Sequence, residues 1–460
     1  MSEKKFSLDL CHGSILWKMI VFVFPLLCTY ELQSLFNAAD LAIIGRFASH
    51  QALAAIGATL NPVTLMLKIF IGLSTGVNAV IALYCGANNH LKFHHGTHTS
   101  MAVSLYFGLI LTPIALLCAK PLLILMNTPE DILPDACTYI WIYFLGIPFL
   151  IVFNFGCAIL RSVGDSRRPM YYLLIAGLLN VLLNLLLVAG FKMSVAGVAI
   201  ATTVSNGVAA GLILRTLVFS TDHCHLNLKK LKIDWQLLKE ILWIGIPAGI
   251  NSSFFNVANM FIQASLNTFG AFAIAGSSAT ISVESFCSIA ASGFQQAVMT
   301  FVAQNYGAKK YARTVRCCLI GLFLAGGVTL VLGWGLMFAG RPLLLLFSTE
   351  PEVIRWGLLR MQIMLTTFFL GAIMDITCGC LRGLGYSMLP TGASLVGACF
   401  FRIFWVVAIF PHHRTMQFLL GCYPISWLLV SLFNGIMLYI VLKRLFRHNQ
   451  HSPETMRSAA

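Results

Sequence analysis

Long apolar runs fill most of this 460-residue chain, and they limit the folds that are open to it. Hydrophobic residues make up 58% of the sequence and charged residues only 10%, whereas a soluble domain has about 25% charged residues. Runs such as 17–36, 101–119 and 317–339 are long enough to cross a hydrocarbon core of ~30 Å as helices. Because backbone groups in lipid must be hydrogen-bonded within their own segment, the sequence predicts an all-α polytopic membrane protein.

Twelve membrane-spanning helices are predicted from these runs. Their approximate limits are residues 15–38, 52–84, 97–119, 136–160, 169–190, 194–217, 240–267, 272–304, 314–338, 357–380, 389–410 and 417–442. The first run is too long for the apolar part of a signal peptide and lacks a small-residue cleavage site. It is therefore expected to remain in the protein as a helix.

The basic residues are distributed unevenly between the two ends of the predicted helices. Twelve spans return the chain to its starting side, so both termini share one side, which carries 21 of the 30 Lys and Arg residues. The opposite side carries seven, and Lys68 and Arg402 lie inside spans. This bias predicts a protein of the cytoplasmic (inner) membrane with both termini in the cytoplasm. Topology and anionic lipid explain the net charge of +14, and no nucleic-acid partner is expected.

The cysteines and histidines do not indicate a metal or redox centre. The fourteen cysteines are scattered and include no CxxC pair, so they are interpreted as small packing residues in a reduced environment. His94, His95 and His98 form a cluster without a carboxylate or thiolate at ligand spacing. A solvated cytoplasmic loop is favoured there over a metal site. No cofactor and no bound metal are expected, apart from a coupling ion.

One ten-residue pattern, L-R-x-[VL]-G-x-S-x-x-P, occurs in both halves of the chain. Its two occurrences, at 160–169 and 381–390, start 221 residues apart. Residues 36–40 have a similar counterpart at 255–259, at an offset of 219. Six helices per half give the halves the same orientation, so they are predicted to be related by an axis along the membrane normal.

The duplication predicts two lobes of six helices each. The predicted parts are an amino-terminal lobe 1–217, a cytoplasmic linker 218–239, a carboxy-terminal lobe 240–447 and a cytoplasmic tail 448–460. In the repeated loop, Arg161 and Arg382 are expected to anchor a helix end at the cytoplasmic headgroups. The glycine allows a tight turn and the proline opens the next helix. This structural role is favoured over contact with a ligand.

Ionisable residues inside a membrane span are energetically expensive and are therefore candidates for function. The candidates of this kind within the predicted spans, or at the end of one, are Glu31, Asp40, Lys68, Glu284, Asp375 and Arg402. Apart from Asp40, these residues are candidates for the wall of a cavity or for contact with substrate. The alternative is a structural role, with Glu31–Lys68 and Glu284–Arg402 as conceivable ion pairs.

Asp40 is the sharpest candidate among them. It lies near the outer end of the first predicted helix, and its counterpart in the second half is Asn259. A site for H⁺ or Na⁺ needs a titratable or anionic oxygen, so ion coupling is expected in the half that keeps the acid. Asn180 and Asn184 are four residues apart, hence on one face of the fifth helix, and are expected to complete a site with Asp40. The alternative is that Asp40 caps a helix end and the amides only join helices.

Several segments resemble those of the multidrug and toxic compound extrusion (MATE) family, in the same order along the chain. They are Asn37 and Asp40 followed by 52–57, the loop at 160–169, and residues 304–308, 381–385 and 423–427. The resemblance covers essentially the whole chain and implies a twelve-helix antiporter with two lobes and a central cavity. It also implies a cation site in the amino-terminal lobe, formed by Asp40, Tyr139, Asn180, Asn184 and Thr202. This chain departs from the pattern at Asn184, where many members have Asp.

The resemblance implies export of small-molecule drugs or toxic metabolites, amphiphilic and often cationic, in exchange for H⁺ or Na⁺. H⁺ is favoured because a single carboxylate among amides suits protonation better than dehydration of Na⁺, and Na⁺ at Asp40 is the alternative. A monomer is expected, with membrane lipids as the other partners. A flippase for a lipid-linked saccharide or other lipid is the alternative function, disfavoured because few intramembrane residues are basic. Walker A and HExxH motifs are absent, so no enzyme and no ATP-driven pump is expected.

Overall fold

Every regular element in the described part of the chain is helical. The computed structural model describes residues 7–126, 128–220 and 224–450. The first seven helices are α1 (Ile15–Phe47), α2 (His50–Gly86), α3 (His90–Leu125), α4 (Leu133–Leu145), α5 (Ile147–Ser162), α6 (Arg167–Asn184) and α7 (Ser194–Phe219). The other eight are α8 (Trp235–Leu266), α9 (Ala271–Gly307), α10 (Tyr311–Phe338), α11 (Gly340–Leu345), α12 (Pro351–Gly383), α13 (Met388–Ser394), α14 (Phe401–Phe404) and α15 (Met416–Gln450). Residues 221–223 of the predicted linker and the predicted tail beyond residue 450 lie outside the described residues.

The membrane-spanning helices match the apolar runs of the sequence. Eleven helices in the described ranges are long and apolar enough to cross a membrane, and the bent pair α4 and α5 makes a twelfth. Each overlaps one predicted span, so the all-α fold with twelve spans is confirmed. The pair replaces the single straight span predicted at 136–160, with a bend of 46°. Pro148 lies in the first turn of α5 and has no N–H for a helical hydrogen bond, which explains the break.

The helices pack into two compact units. The amino-terminal unit comprises Phe24–Gly245 with the described residues up to Asp9, and the carboxy-terminal unit comprises Leu10–Val23 with Ile246 and the residues after it. In the amino-terminal unit, α5 packs against α2, α3 and α7. In the carboxy-terminal unit, α12 packs along α9 and also contacts α10 and α15. The core of this second unit includes Met361 and Leu365 of α12, both fully buried.

The repeated loop ends a helix in the same way in both units. In the amino-terminal unit, the Asp165 N–H donates to the Leu160 carbonyl at 3.0 Å and the Gly164 N–H donates to the Arg161 carbonyl at 2.9 Å. Residues 381–386 repeat both bonds, at 2.8 and 3.0 Å. The two glycines of the pattern have φ angles of +87° and +90°, which favour glycine over any other residue. This is the Schellman arrangement that satisfies the last carbonyls of a helix, so the predicted tight turn is confirmed.

Asp165 follows the first of these turns and caps the next helix. Its Oδ1 accepts hydrogen bonds from the backbone N–H groups of Arg167 and Arg168, both at 3.1 Å. The Arg168 guanidinium lies 3.0 Å from the other carboxylate oxygen. Burial nevertheless raises the pKa of Asp165 to about 6, because the loss of hydration outweighs these favourable contacts.

The substitution Asp165→Asn is expected to make unfolding less dependent on pH. The folded protein holds the Asp165 proton more tightly than the unfolded chain, so its stability falls as pH rises from 3.8 to about 6. Asn keeps the cap without the charge, and above pH ~6 the variant gains on the order of 2 kcal/mol relative to wild type. Thermal unfolding in detergent between pH ~4 and ~7 measures the difference. A difference in stability between the two proteins that stays constant with pH would contradict the raised pKa of Asp165.

Candidate cation site

The fifth span changes its helical form at Asn184. α6 is regular up to Asn184 and continues as a π-helix over Leu185–Gly190. Such wide turns are rare in proteins and are frequent at functional sites. Asn180 and Asn184 lie one turn apart on α6, and both are buried. The change of helical form thus falls directly after the two amides that are expected to complete a site with Asp40.

Asp40 is joined to these amides by a chain of hydrogen bonds. The Asn184 Nδ2 group donates to Asp40 Oδ1 at 2.5 Å and to Asn180 Oδ1 at 3.3 Å. Asn180 Nδ2 in turn donates to the Thr202 hydroxyl at 3.3 Å. Thr202 is also hydrogen-bonded to the Asp40 carboxylate. Side chains from α1, α6 and α7 therefore meet at a single carboxylate inside the amino-terminal unit.

Tyr139 contributes from a fourth helix. It lies on α4, is buried, and its ring stacks on Tyr143 with the centroids 6.0 Å apart. Both phenols lie close enough to Asp40 to interact with its charge. The structure thus brings together all five residues for which the resemblance implied a cation site, and their role in binding a cation stays a prediction.

One oxygen of this cluster has no partner. Asn184 Oδ1 is buried and accepts no hydrogen bond from any described group. An unsatisfied buried oxygen is costly, and such a group often marks a place for an ion or a proton. Carboxylate and amide oxygens are the ligands that hard cations take in proteins. The cluster has the donor set for H⁺ or for Na⁺.

Glu31, Lys68 and Asp375 lie outside this cluster. In the described part of the chain Glu31 and Lys68 form no ion pair, so the conceivable Glu31–Lys68 pair is wrong. The two residues lie on different helices, and their positions in sequence do not determine which faces meet. Asp375 on α12 lies within electrostatic range of Arg382. Its backbone carbonyl accepts a hydrogen bond from Gln295 at 3.0 Å.

Glu284 forms a buried ion pair, with a different partner from the one considered in the sequence. Arg360 Nε and Nη2 donate to the two carboxylate oxygens of Glu284 at 2.9 and 3.0 Å. The conceivable Glu284–Arg402 pair is therefore wrong. The seven basic residues assigned to the side opposite the termini include Arg360, although it lies within the predicted span 357–380. The position of Arg360 inside that span was the signal that the charge count missed.

Arg402 is almost fully buried in the carboxy-terminal unit, at 2% exposure. Its Nε donates to the Ser426 hydroxyl at 2.9 Å, and its guanidinium carbon lies 4.4 Å from the centre of the Tyr423 ring. The Phe255 ring lies on another side at 5.4 Å. The Tyr423 hydroxyl donates to Asn259 Oδ1 at 3.2 Å. Asn259, the counterpart of Asp40, therefore lies in a polar cluster of its own unit.

The histidine cluster lies on α3 and not in a solvated loop. His98 is buried, its Nε2 accepts a hydrogen bond from the Asn227 N–H at 3.0 Å, and its Nδ1 lies 2.9 Å from the His94 carbonyl. His95 lies 3.7 Å from the Asp234 carboxylate. The helix begins at His90, before the predicted span 97–119, and the apolar run does not include its first turns because they are polar. No three His, Cys, Asp or Glu side chains in the described ranges converge as a metal site.

Comparison with known proteins identifies the family. A family model described as MatE matches residues 25–186 and again 247–407. The chain is 28% identical to the probable multidrug resistance protein YoeA of Bacillus subtilis over 88% of this chain and 89% of that protein. It is 24% identical to the multidrug export protein MepA of Staphylococcus haemolyticus, with 91% of each covered.

A solved structure shows the same fold. The crystal structure of MATE in the bent conformation matches with a TM-score of 0.89, at 19% identity, over 95% of this chain and 98% of that one. The family model matches well over half of the chain, and its two matched segments correspond to the two halves. The chain therefore belongs to the MATE family of multidrug efflux transporters, which are multi-pass membrane proteins and not enzymes.

Proposed function

We propose that this protein is a secondary active exporter that exchanges amphiphilic or cationic organic compounds for H⁺, with Na⁺ as the alternative ion. The two similar proteins from Bacillus and Staphylococcus are named for multidrug resistance and multidrug export. The observation that carries the proposal is the Asp40 cluster, in which one carboxylate accepts a hydrogen bond from the buried amide of Asn184 within apolar helices. An ionisable group in that setting is a functional candidate by default.

Exchange of a proton at Asp40 changes the bonds that join three helices. The charged carboxylate accepts hydrogen bonds from Asn184 and Thr202. The protonated carboxyl group is also a donor and needs an acceptor, which Asn184 Oδ1 supplies once its amide has turned. The two protonation states thus favour different packing of α1 against α6 and α7. Ligands shift such an equilibrium by their difference in affinity for the two states, which is the basis of alternating access.

The proposal includes the arrangement of the chain in the membrane. Both termini lie in the cytoplasm, and the lobes 1–217 and 240–447 are joined by the linker 218–239. The protein acts as a monomer in the inner membrane. The alternative, a lipid flippase, needs basic groups free to bind phosphate. Of the arginines buried within the predicted spans, Arg360 binds Glu284, and Arg402 is held by Ser426 and two aromatic rings, which disfavours that alternative.

Efflux of a fluorescent cation from proteoliposomes, driven by one gradient at a time, tests the proposal. A pH gradient alone is expected to drive transport, and a Na⁺ gradient at equal pH is not. For exchange of one proton per molecule of equal charge, one pH unit sustains up to about a tenfold substrate gradient, since it is equivalent to about 1.4 kcal/mol. Transport by the Na⁺ gradient alone would assign Na⁺ as the coupling ion. Binding of a lipid pyrophosphate without any cation transport would favour the flippase.

A further inference from the structure

In the described part of the chain, no ion pair joins the guanidinium of Arg402, which lies in the carboxy-terminal unit, to a carboxylate. Glu284, a buried acid of the same unit, is bound through both oxygens by Arg360. Arg402 is instead placed against the rings of Tyr423 and Phe255, with its Nε bonded to Ser426. Its Nη2 is buried and finds no hydrogen-bond acceptor in the described structure. Attraction to aromatic faces is the main compensation for burying this cation.

The surroundings of Arg402 correspond to the Asp40 cluster of the other unit. Corresponding residues of the two halves lie 219 to 222 positions apart. At these offsets Asn259 on α8 corresponds to Asp40 on α1, and Tyr423 on α15 corresponds to Thr202 on α7. Each of these pairs is joined by a hydrogen bond within its own unit. Two corresponding helices, α1 and α7 in one unit and α8 and α15 in the other, therefore meet through a polar contact.

Arg402 lies next to the position of the third member of the cluster. At the offset of 221 that relates the two repeated loops, Asn180, the amide that bonds to Thr202, corresponds to Phe401, and Arg402 is the next residue. It also lies beside π-helical turns, Leu395–Phe400 and Trp405–Ile409, as the amides of α6 do. One unit thus has an acid with two amides, and the other has an amide, a phenol and an arginine. The unit that lacks the carboxylate is the one that carries a covalently attached cation.

We propose that Arg402 is a built-in cation, which fills the carboxy-terminal counterpart of the cation site. The box formed by Tyr423, Phe255 and Ser426 is a binding site for guanidinium-type cations, and this chain occupies it with its own side chain. This inference rests on the proposed role of Asp40, and it deepens that role. The carboxy-terminal unit binds no external coupling ion, so the ion acts through the amino-terminal unit alone.

Chemical rescue tests the box without any transport measurement. The substitution Arg402→Ala is expected to lower the apparent thermal midpoint of the purified protein by roughly 5 °C, through loss of a desolvated cation–π contact. Methylguanidinium at about ten times its dissociation constant is expected to raise the midpoint of the variant by about 3 °C. KCl of equal ionic strength is not expected to raise the midpoint of the variant. Wild type and Arg355→Ala, which loses an exposed arginine, provide the controls and show no such rise.

Two further variants keep the test decisive if Arg402→Ala does not fold. Stability is expected to fall in the order Arg, Lys, Met at position 402, because Lys keeps the charge and Met keeps only the apolar stem. The proposal of a built-in cation would be overturned by an Arg402→Met variant at least as stable as Arg402→Lys. It would also be overturned if KCl raised the thermal midpoint of Arg402→Ala as much as methylguanidinium does.

The absence of a second ion site is tested separately. The substitution Asp40→Asn is expected to remove every saturable effect of Na⁺ or pH on the thermal midpoint that wild type shows through the cation site. A saturable effect that persists in Asp40→Asn and disappears on adding Asn259→Ala would overturn the claim for the carboxy-terminal unit. Failure of the proposed exporter function looks different, since gradient-driven efflux is then missing in wild type while the order Arg, Lys, Met at position 402 still holds.

Discussion

The substitution Asp40→Asn is expected to reduce ion-driven efflux by about 5- to 150-fold, the range of a coupling energy of 1–3 kcal/mol. Asn has nearly the same shape as Asp and is still within reach of Asn184, so the packing of α1 is retained. It cannot take up a proton and has no charge for a cation, so the two states of the transporter no longer differ in ion affinity. Initial rates of dye efflux under a fixed pH gradient measure the loss. Full coupled transport by the variant would contradict a role for Asp40.

Two further variants separate loss of coupling from general damage. Asp131→Asn makes the same chemical change at an exposed position outside the membrane-spanning helices, and its efflux rate is expected to match wild type. The double variant Asp40→Asn/Asn184→Asp moves the carboxylate to the other end of the 2.5 Å hydrogen bond. It is expected to recover part of the lost rate, since the cluster again has one titratable group. Loss of function in Asp131→Asn would indicate damage that is unrelated to the site.

Helix positions were predictable from the sequence because burial in lipid is a property of composition. The apolar run at 272–304 and the helix Ala271–Gly307 differ by only a few residues. The breaks were not predictable in the same way. The π-helix after Asn184 depends on how single turns pack against neighbouring helices, and the bend before Pro148 is caused by a single residue that the average hydropathy of a span does not reveal. The mean hydropathy of a span is an average over all its residues, so it is the same whether or not the helix bends or widens within that span.

The candidate site was predictable where residues share a helix or a repeat. Asn180 and Asn184 lie four residues apart and were expected on one face, and the comparison of halves selected Asp40. Ion pairs between helices were not predictable, because the sequence does not determine which faces of two helices meet. Arg360 was not predicted to be buried for a second reason. It lies in the first turn of its predicted span, and that turn was assigned to the membrane surface, whereas the structure buries Arg360. A buried acid such as Glu284 needs a partner nearby, and this requirement points to any arginine within a span.

The Glu284–Arg360 pair is expected to dominate the stability of the carboxy-terminal unit in mutational tests. Arg360→Met or Glu284→Leu alone leaves an unpaired charge in a buried position, at a cost of about 3–5 kcal/mol. Both residues are less than a tenth exposed, and both oxygens of the carboxylate are engaged. The double variant Glu284→Leu/Arg360→Met removes both charges and is expected to recover most of this loss, since an apolar pair of similar volume avoids the desolvation cost. Thermal unfolding of the four proteins in detergent forms the double-mutant cycle.

The exposed Glu352–Arg355 pair on the same helix provides the matched control. Its nitrogen and oxygen lie 3.3 Å apart, close to the distance in the buried pair, but both side chains are largely in solvent. Removal of Arg355 is therefore expected to cost only about 0–1 kcal/mol, and salt weakens the exposed pair further. The buried pair is screened far less, so its coupling energy in the cycle is expected to persist in high salt. Equal losses for Arg360→Met and Arg355→Met, or a double variant as unstable as the sum of its single variants, would show that burial of Glu284 is not compensated by Arg360.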